Sequence, residues 1–292
     1  MSTQAEKLKN ITQNSDKSSD KTSKTKILAI TSGKGGVGKS TISANIANIL
    51  SKRGYKTAIF DGSISLANLD IIFNVKAKNN LLNLLKGECI LKDIVIEVDK
   101  NLFLIPAESG DEILKFNDND IYQKLLKEDS FFEDIDYLII DTGSGVGKNV
   151  QTFLKLADEV VVITMPEPTA ITDAYALIKI TSNINQNINL IVNSTESEKE
   201  GRFIYEKIRK VAENNLKTPL FLNYLGYIKN SRLILRSIKF RQLFTNTHPN
   251  SLASYQLDKI VDNITFQLEH QAPDKKSKKS LGIFIKRLIE KI

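Results

Sequence analysis

Residues 33–40 of the chain read Gly33-Lys34-Gly35-Gly36-Val37-Gly38-Lys39-Ser40. This is a complete G-x-x-x-x-G-K-[ST] phosphate-binding loop, and Thr41 follows it directly. The apolar run at residues 26–31 is typical of a buried strand, and residues 40–50 have the pattern of a helix. Between a strand and a helix, the backbone N–H groups of the loop and the N-terminus of the helix can face an anion together. We therefore predict that residues 33–41 bind the phosphates of a nucleotide.

The loop carries two lysines with different expected roles. Lys39 is placed to reach the β- and γ-phosphates, and the hydroxyl of Ser40 is placed to ligate Mg²⁺. Lys34 comes too early in the loop to share that position, because Lys39 already occupies the side next to its own nucleotide. Lys34 could reach the phosphates of a facing subunit; the alternative is an ordinary solvated loop lysine.

The loop resembles the deviant phosphate loop, K-G-G-x-G-K-[ST], of the MinD/ParA family of ATPases. In that family the lysine that matches Lys34 crosses the interface of an ATP-bound dimer. The resemblance implies ATP and Mg²⁺ as cofactors and a homodimer that forms on ATP binding. It also implies that Lys34 and Lys39 act at the catalytic site.

Residues 61–70 read DGSISLANLD and resemble the first switch of the family, D-x-D-x-x-x-x-N-L-D. Asp61 matches as a metal-side carboxylate, whereas Ser63 stands where the family has a second aspartate that orients the attacking water. A serine hydroxyl can hold a water but has no negative charge to polarise it. Because general-base assistance contributes about 10²–10⁴-fold, we predict slow or absent hydrolysis with nucleotide binding retained.

Two further residues complete the expected site. Asp141 ends an apolar run and corresponds to the second metal-side carboxylate of phosphate-loop NTPases. It matches the aspartate of the family's D-x-x-x-G switch, with Gly145 as the glycine. Asn193 ends another apolar run, at the position where the family places an asparagine against adenine. An ordinary turn residue at a strand end is the alternative for Asn193. Residues 165–175 resemble the family's segment after the preceding strand, with a helix beginning near residue 168 or 169.

The pattern of the whole body predicts an α/β fold with a mostly parallel central sheet and helices on both faces. Several apolar runs lack alternation, as expected of parallel strands buried on both faces, and helical stretches such as residues 201–215 suit crossover connections. The predicted strands are residues 26–31, 57–61, 102–106, 137–141, 160–164, 188–193 and 224–228.

Composition divides the chain into a body and two tails. The formal charge is +7, but residues 1–26 hold six lysines against three acidic residues, and residues 271–292 hold seven basic against two acidic residues, which leaves −1 for the body. We predict a flexible extension at 1–25, an ATPase domain at 26–270 and a basic tail at 271–292. A near-neutral body makes nucleic acid an unexpected partner. The single cysteine, Cys89, excludes a disulfide framework and is expected to pack.

The C-terminal tail predicts an amphipathic helix. Residues 281, 284, 285, 288, 289 and 292 are apolar and fall on one helical stripe, behind the basic run at 275–279. Such a helix behind a basic linker favours an anionic membrane surface, which would place the protein in the cytoplasm, peripherally on the inner face of the membrane. A helix packed on the chain's own core is the alternative. No apolar stretch approaches the length that spans a bilayer, and the N-terminus has no signal-peptide pattern.

The N-terminal tail carries a shorter resemblance. Gln4, Ala5, Leu8 and Lys9 match a Q-A-x-x-L-[RK] segment of the flagellar-number regulators in the MinD branch (FlhG), where it activates the flagellar GTPase FlhF. The resemblance implies FlhF as a partner and regulation of flagellar number and placement. Three alternatives stay open: a division-site MinD, a DNA-partitioning ParA, and a scaffold that binds ATP without hydrolysing it.

Overall fold

The computed structural model describes residues 25–63, 68–106, 135–185, 187–216 and 220–270. Within these ranges the chain forms one eight-stranded sheet. Its strands are β1 (Lys26–Ser32), β2 (Thr57–Gly62), β3 (Ile96–Asp99), β4 (Leu102–Ile105), β5 (Tyr137–Ser144), β6 (Glu159–Thr164), β7 (Asn187–Thr195) and β8 (Phe221–Lys229). Their order is β3-β4-β2-β5-β1-β6-β7-β8. All neighbours pair in parallel except β3 and β4, so the predicted fold class is confirmed.

The seven predicted strands are all present, with ends that differ by a few residues. Except in the edge strand β8, their apolar runs are buried on both faces, which is why a run without alternation identified them. The additional strand β3 is a short antiparallel edge strand in which half-buried and exposed residues alternate. A search for continuous apolar runs misses such a strand, because only one of its faces touches the core.

Helices cover both faces of the sheet, as predicted. They are α1 (Lys39–Lys52), α2 (Leu69–Phe73), α3 (Leu81–Leu85), α4 (Leu91–Ile94), α5 (Lys148–Leu156), α6 (Pro168–Thr181), α7 (Glu198–Asn215), α8 (Arg232–Lys239), α9 (Phe244–Thr247) and α10 (Leu252–His270). Helices α1 and α10 pack on one face, and α3 to α7 contribute to the core on the other. Helix α6 begins at Pro168, one of the two predicted positions. Cys89 packs half-buried against the second of these faces.

Helix α1, which follows the phosphate loop, is held against α10 at its C-terminal end and against α9 near its middle. Arg53 at its C-terminal cap donates to Asp258 and Asp262 at 2.6 and 2.8 Å. Near its middle, Asn45 accepts hydrogen bonds from the backbone N–H and the hydroxyl of Thr245. These polar contacts flank a wholly buried apolar face, so the start of α1 has a defined position relative to the sheet.

The two tails, residues 1–24 and 271–292, lie outside the described residues, so the predicted N-terminal motif and C-terminal helix stay predictions. Among the helices in the described ranges, none combines the length and the apolar character needed to cross a bilayer.

A buried carboxyl lies where β6 begins. Glu159 is only 3% exposed, and its Oε2 accepts a hydrogen bond from Asn189 Nδ2 at 2.5 Å. Asn189 Oδ1 in turn accepts from Asn223 Nδ2 at 3.3 Å. Burial raises the pKa of Glu159 to about 7; the hydrogen bond from Asn189 lowers it and the nearby charge of Asp158 raises it.

This raised pKa makes stability depend on pH. Below about pH 4.5 the carboxyl is protonated in both the folded and the unfolded chain, and it has no effect. Above about pH 7 it is ionised in both, and the folded state carries the cost of a buried charge. The free energy of unfolding therefore decreases, and the fold becomes less stable, as the pH rises between these values. We predict that Glu159→Gln removes about 2 kcal/mol of the stability difference between pH 5 and pH 8.

Urea unfolding at the two pH values measures this difference. The exposed Glu97 of β3 offers a control, because Glu97→Gln removes a carboxyl that is not buried. Equal stability differences in the unchanged chain and the Glu159→Gln variant would contradict the prediction.

Candidate functional site

The phosphate loop connects the central strand β1 to α1, and two of its glycines have left-handed backbones. Gly36 has φ 82° and Gly38 has φ 91°, values that favour glycine. A Cβ on Gly38 would also lie 2.4 Å from Asn193 Nδ2. That same amide donates to the carbonyl of Val37 at 2.8 Å, so Asn193 on β7 supports the loop from beneath. Its expected contact with adenine stays a prediction.

The loop opens onto a cleft of about 690 Å³ at the carboxyl ends of the strands. This is where α/β sheets of this kind bind ligands. The residues that line the cleft are Ser32, Gly35, Gly36, Gly38, Lys39, Ser40, Thr41, Gly62, Ser63, Asn68, Ile71, Ile72, Gly143, Ser144, Gly147, Asn149, Val150 and Ile238. Six of the nine predicted loop residues thus line the cleft, whereas Gly33, Lys34 and Val37 do not.

Lys39, which lines the cleft, forms a buried ion pair with Asp141. Lys39 Nζ lies 2.9 Å from Asp141 Oδ1, and the side chains are 9% and 0% exposed. The Ser43 hydroxyl donates to the same Oδ1 at 2.8 Å. Ser43 lies four residues after Lys39, on the same face of α1, a spacing from which its proximity could have been predicted. An anion at the loop would compete with Asp141 for the ammonium of Lys39.

Asp61 lies beside Asp141 on the adjacent strand, since the two are partners in the parallel register of β2 and β5. It is 2% exposed and accepts three backbone hydrogen bonds, from Ser63, Asn68 and Leu69. Burial raises the pKa of Asp61 to about 6, against the lowering effect of these hydrogen bonds, and the charge of Asp141 raises it further. Two buried carboxylates side by side are an environment that a cation stabilises.

The residues present fit a nucleotide with Mg²⁺. Asp141 Oδ2 is buried and has no hydrogen-bond partner among the described residues, so it can accept a bond from a metal-bound water. No cluster of three His, Cys, Asp or Glu side chains occurs in the described part of the chain. Mg²⁺ usually keeps several waters and binds through one or two carboxylates plus substrate phosphates. Ser40 lies on the cleft, with its hydroxyl 3.4 Å from Lys39 Nζ.

Ser63 lies on the cleft, at the end of the described part of the first switch. Its backbone N–H donates to Asp61 at 3.1 Å, and its hydroxyl donates to the carbonyl of Thr142 at 3.4 Å. Ser63 therefore faces the nucleotide side without supplying a carboxylate. Residues 64–67, which continue the switch, lie outside the described residues.

The side chain of Lys34 contacts the start of α6. Its ammonium lies 2.7 Å from Glu167 Oε2 and 2.8 Å from Thr169 Oγ1. Neither acceptor has a predicted role, because only the tertiary structure brings residues 34 and 167 together. Two apolar side chains that line the cleft, Ile71 and Ile238, are not predicted either; they are 50% and 47% exposed. Nothing in their local sequence distinguishes them from core residues.

Comparison with known proteins agrees with this geometry. A family model described as "ParA: NUBPL iron-transfer P-loop NTPase" matches residues 23–265. Among solved structures, a chain of the MinC:MinD cell division protein complex of Aquifex aeolicus is similar with a TM-score of 0.66 at 25% identity. The match covers 86% of this chain and 99% of that one.

Two similar relatives are flagellar or regulatory proteins by name. The "Flagellum site-determining protein YlxH" of Helicobacter pylori is 44% identical over 293 residues, which cover 99% of each chain. The "Antiactivator FleN" of Pseudomonas aeruginosa is 30% identical over 241 residues, 82% of this chain and 85% of that protein. The chain therefore belongs to the ParA/MinD family of P-loop NTPases, which use a nucleotide with Mg²⁺, and it is a homologue of YlxH and FleN within that family.

Proposed function

We propose that the protein is an ATP-dependent dimerisation switch of the FlhG type, which regulates the number and placement of flagella. The observation that carries the proposal is the 44% identity to the Helicobacter pylori flagellum site-determining protein over 99% of both chains. A similarity that includes both tails favours a shared role over a shared fold alone.

In this proposal the loop holds the ATP phosphates through its backbone N–H groups. Lys39 leaves Asp141 and neutralises the β/γ-phosphate charge, as the competition for its ammonium suggests. Ser40 would ligate Mg²⁺, and Asp61 and Asp141 would hold its waters; the cation would supply positive charge against the phosphates. The raised pKa of Asp61 describes the protein without a cation, and a cation at this place favours the ionised carboxylate.

The dimer would form across the cleft mouth. Lys34 lies on the surface with 37% of its side chain exposed, which makes it available to a facing subunit. Ile71, Val146 and Ile238 are exposed apolar side chains, and two of them line the same cleft. Apolar side chains around a polar site are typical of a face that another protein covers. A second copy bound there would place its phosphates near Lys34.

Hydrolysis is the step at which we expect this chain to differ from its family. We predict that Ser63→Asp increases steady-state ATP hydrolysis about 10²-fold, because a carboxylate at the cleft can polarise the attacking water. Phosphate release in the presence of anionic vesicles and the partner GTPase measures the rate. Ser63→Asn is the matched control, with the same size and no charge.

The same assay decides between a slow ATPase and a scaffold that binds ATP without turning it over. If the unchanged chain hydrolyses ATP as fast as the Ser63→Asp variant, the assigned effect of Ser63 is wrong. If neither variant hydrolyses ATP while both dimerise on binding it, the scaffold alternative is favoured. A DNA-partitioning role is disfavoured by the −1 charge of the body, and a division-site role by the long N-terminal extension.

The C-terminal tail is proposed to bind anionic membranes. We predict that a chain ending at Asp274 loses its ATP-dependent co-sedimentation with vesicles that contain phosphatidylglycerol, because it lacks the basic run and the apolar stripe. Neutral vesicles and a test of ATP-dependent dimerisation are the controls. Undiminished sedimentation of the shortened chain with anionic vesicles would rule out the tail as the anchor.

The N-terminal tail is proposed to activate the partner GTPase. We predict that the double variant Gln4→Ala, Leu8→Ala lowers the stimulation of FlhF GTP hydrolysis by about tenfold, since it removes two of the matching side chains. ATP-dependent dimerisation should not change. Ser15→Ala, outside the matching segment, is the control, and full stimulation by the double variant would exclude this role.

A further inference from the structure

Lys34 is hydrogen-bonded to two side chains at the start of α6 in its own subunit. Glu167 Oε2 and Thr169 Oγ1 accept from its ammonium at 2.7 and 2.8 Å, and both acceptors belong to the start of α6. The ammonium has three donors, so among the described residues two are used and one remains for another acceptor. With 37% of the Lys34 side chain exposed, that donor is accessible to a ligand from outside the subunit.

The backbone of the loop is pressed against the same helix. A Cβ added to Gly33 would lie 2.2 Å from the carbonyl oxygen of Asp173 and 2.7 Å from the backbone nitrogen of Ala174. Only glycine allows the loop to approach α6 this closely. The loop and α6 therefore contact each other at two independent places, one through backbone and one through side chains. A lysine held by both has little freedom to swing toward the opposite end of its own loop.

We propose that Glu167 and Thr169 are positioning residues, which keep Lys34 on α6 and reserve its remaining donor for the phosphates of a facing subunit. The inference rests on the proposed dimerisation switch and adds to it the reason why Lys34 acts between subunits. Lys39 pairs with a different carboxylate, Asp141 of β5. The two lysines of the loop are therefore held by different elements of the same subunit. The negative charge of Glu167 also weakens the attraction between Lys34 and the nucleotide of its own subunit.

The size of the effect follows from the exposure of the pair. An exposed ion pair by itself contributes less than tenfold to an equilibrium, because solvent screens it. A lysine has a large side-chain entropy, and ordering it before the facing subunit arrives lowers the cost of association. Loss of the Glu167 charge together with the Thr169 hydroxyl is therefore expected to weaken dimerisation about tenfold. It should not weaken nucleotide binding by a single subunit, since Lys39 and the loop backbone are unchanged.

The experiment compares the unchanged full-length chain with the double variant Glu167→Gln, Thr169→Val, in which both substitutions preserve side-chain size. Thr172→Val, at an exposed position of the same helix, is the matched control. Sedimentation velocity with a slowly hydrolysed ATP analogue gives the dissociation constant of the dimer, and titration with fluorescent ADP gives the affinity of one subunit. We expect the dimer constant to rise about tenfold and the ADP affinity to be equal or tighter.

Lys34→Ala completes the comparison. If the proposal holds, the triple variant Lys34→Ala, Glu167→Gln, Thr169→Val dimerises no worse than Lys34→Ala alone, because the two acceptors act only through Lys34. Additional loss in the triple variant, weaker ADP binding by the double variant, or dimerisation of the double variant at least as tight as that of the unchanged chain would overturn it. If Lys34→Ala itself dimerises normally, the proposed switch fails as well, and the two failures are thereby distinguished.

Discussion

Strands β1 and β5 pair in parallel at the centre of the sheet, and the nucleotide cleft depends on this pairing. Ile30 and Asp141 are partners in its register, so the end of β5 lies beside the beginning of the phosphate loop. The loop then turns into α1, whose first residue, Lys39, meets Asp141 at 2.9 Å. Because both side chains are almost fully buried, loss of either one would leave an uncompensated charge in the core.

Charge balance around that pair explains why the site suits a phosphate with a divalent cation. Asp61 and Asp141 are adjacent buried carboxylates, and Lys39 is the cation that contacts one of them. Three backbone N–H groups stabilise Asp61, yet burial still raises its pKa to about 6. Mg²⁺ would reduce the repulsion between Asp61 and Asp141, and the phosphates would replace Asp141 as the partner of Lys39. The same groups are thus compatible with two charge arrangements, as a nucleotide switch requires.

The other lysine of the loop, Lys34, differs from Lys39 in its exposure to solvent. Lys34 is half-exposed and held on α6 by Glu167 and Thr169, in a place where solvent weakens any single ion pair. These two contacts hold its ammonium on α6. One short loop therefore presents one buried lysine, Lys39, and one partly exposed lysine, Lys34.

The fold and the phosphate loop could be predicted from the sequence because both are encoded locally. A buried parallel strand needs a continuous apolar run, and the loop needs glycines such as Gly36 and Gly38 at left-handed positions. The tertiary structure alone decided which distant residues contact the loop. Asn193 donates to the carbonyl of Val37, Asp141 pairs with Lys39, and Glu167 pairs with Lys34. These partners are separated by 156, 102 and 133 residues, and no local pattern encodes such contacts. Strand order and helix packing create them, because the carboxyl ends of distant parallel strands converge on one edge of the sheet.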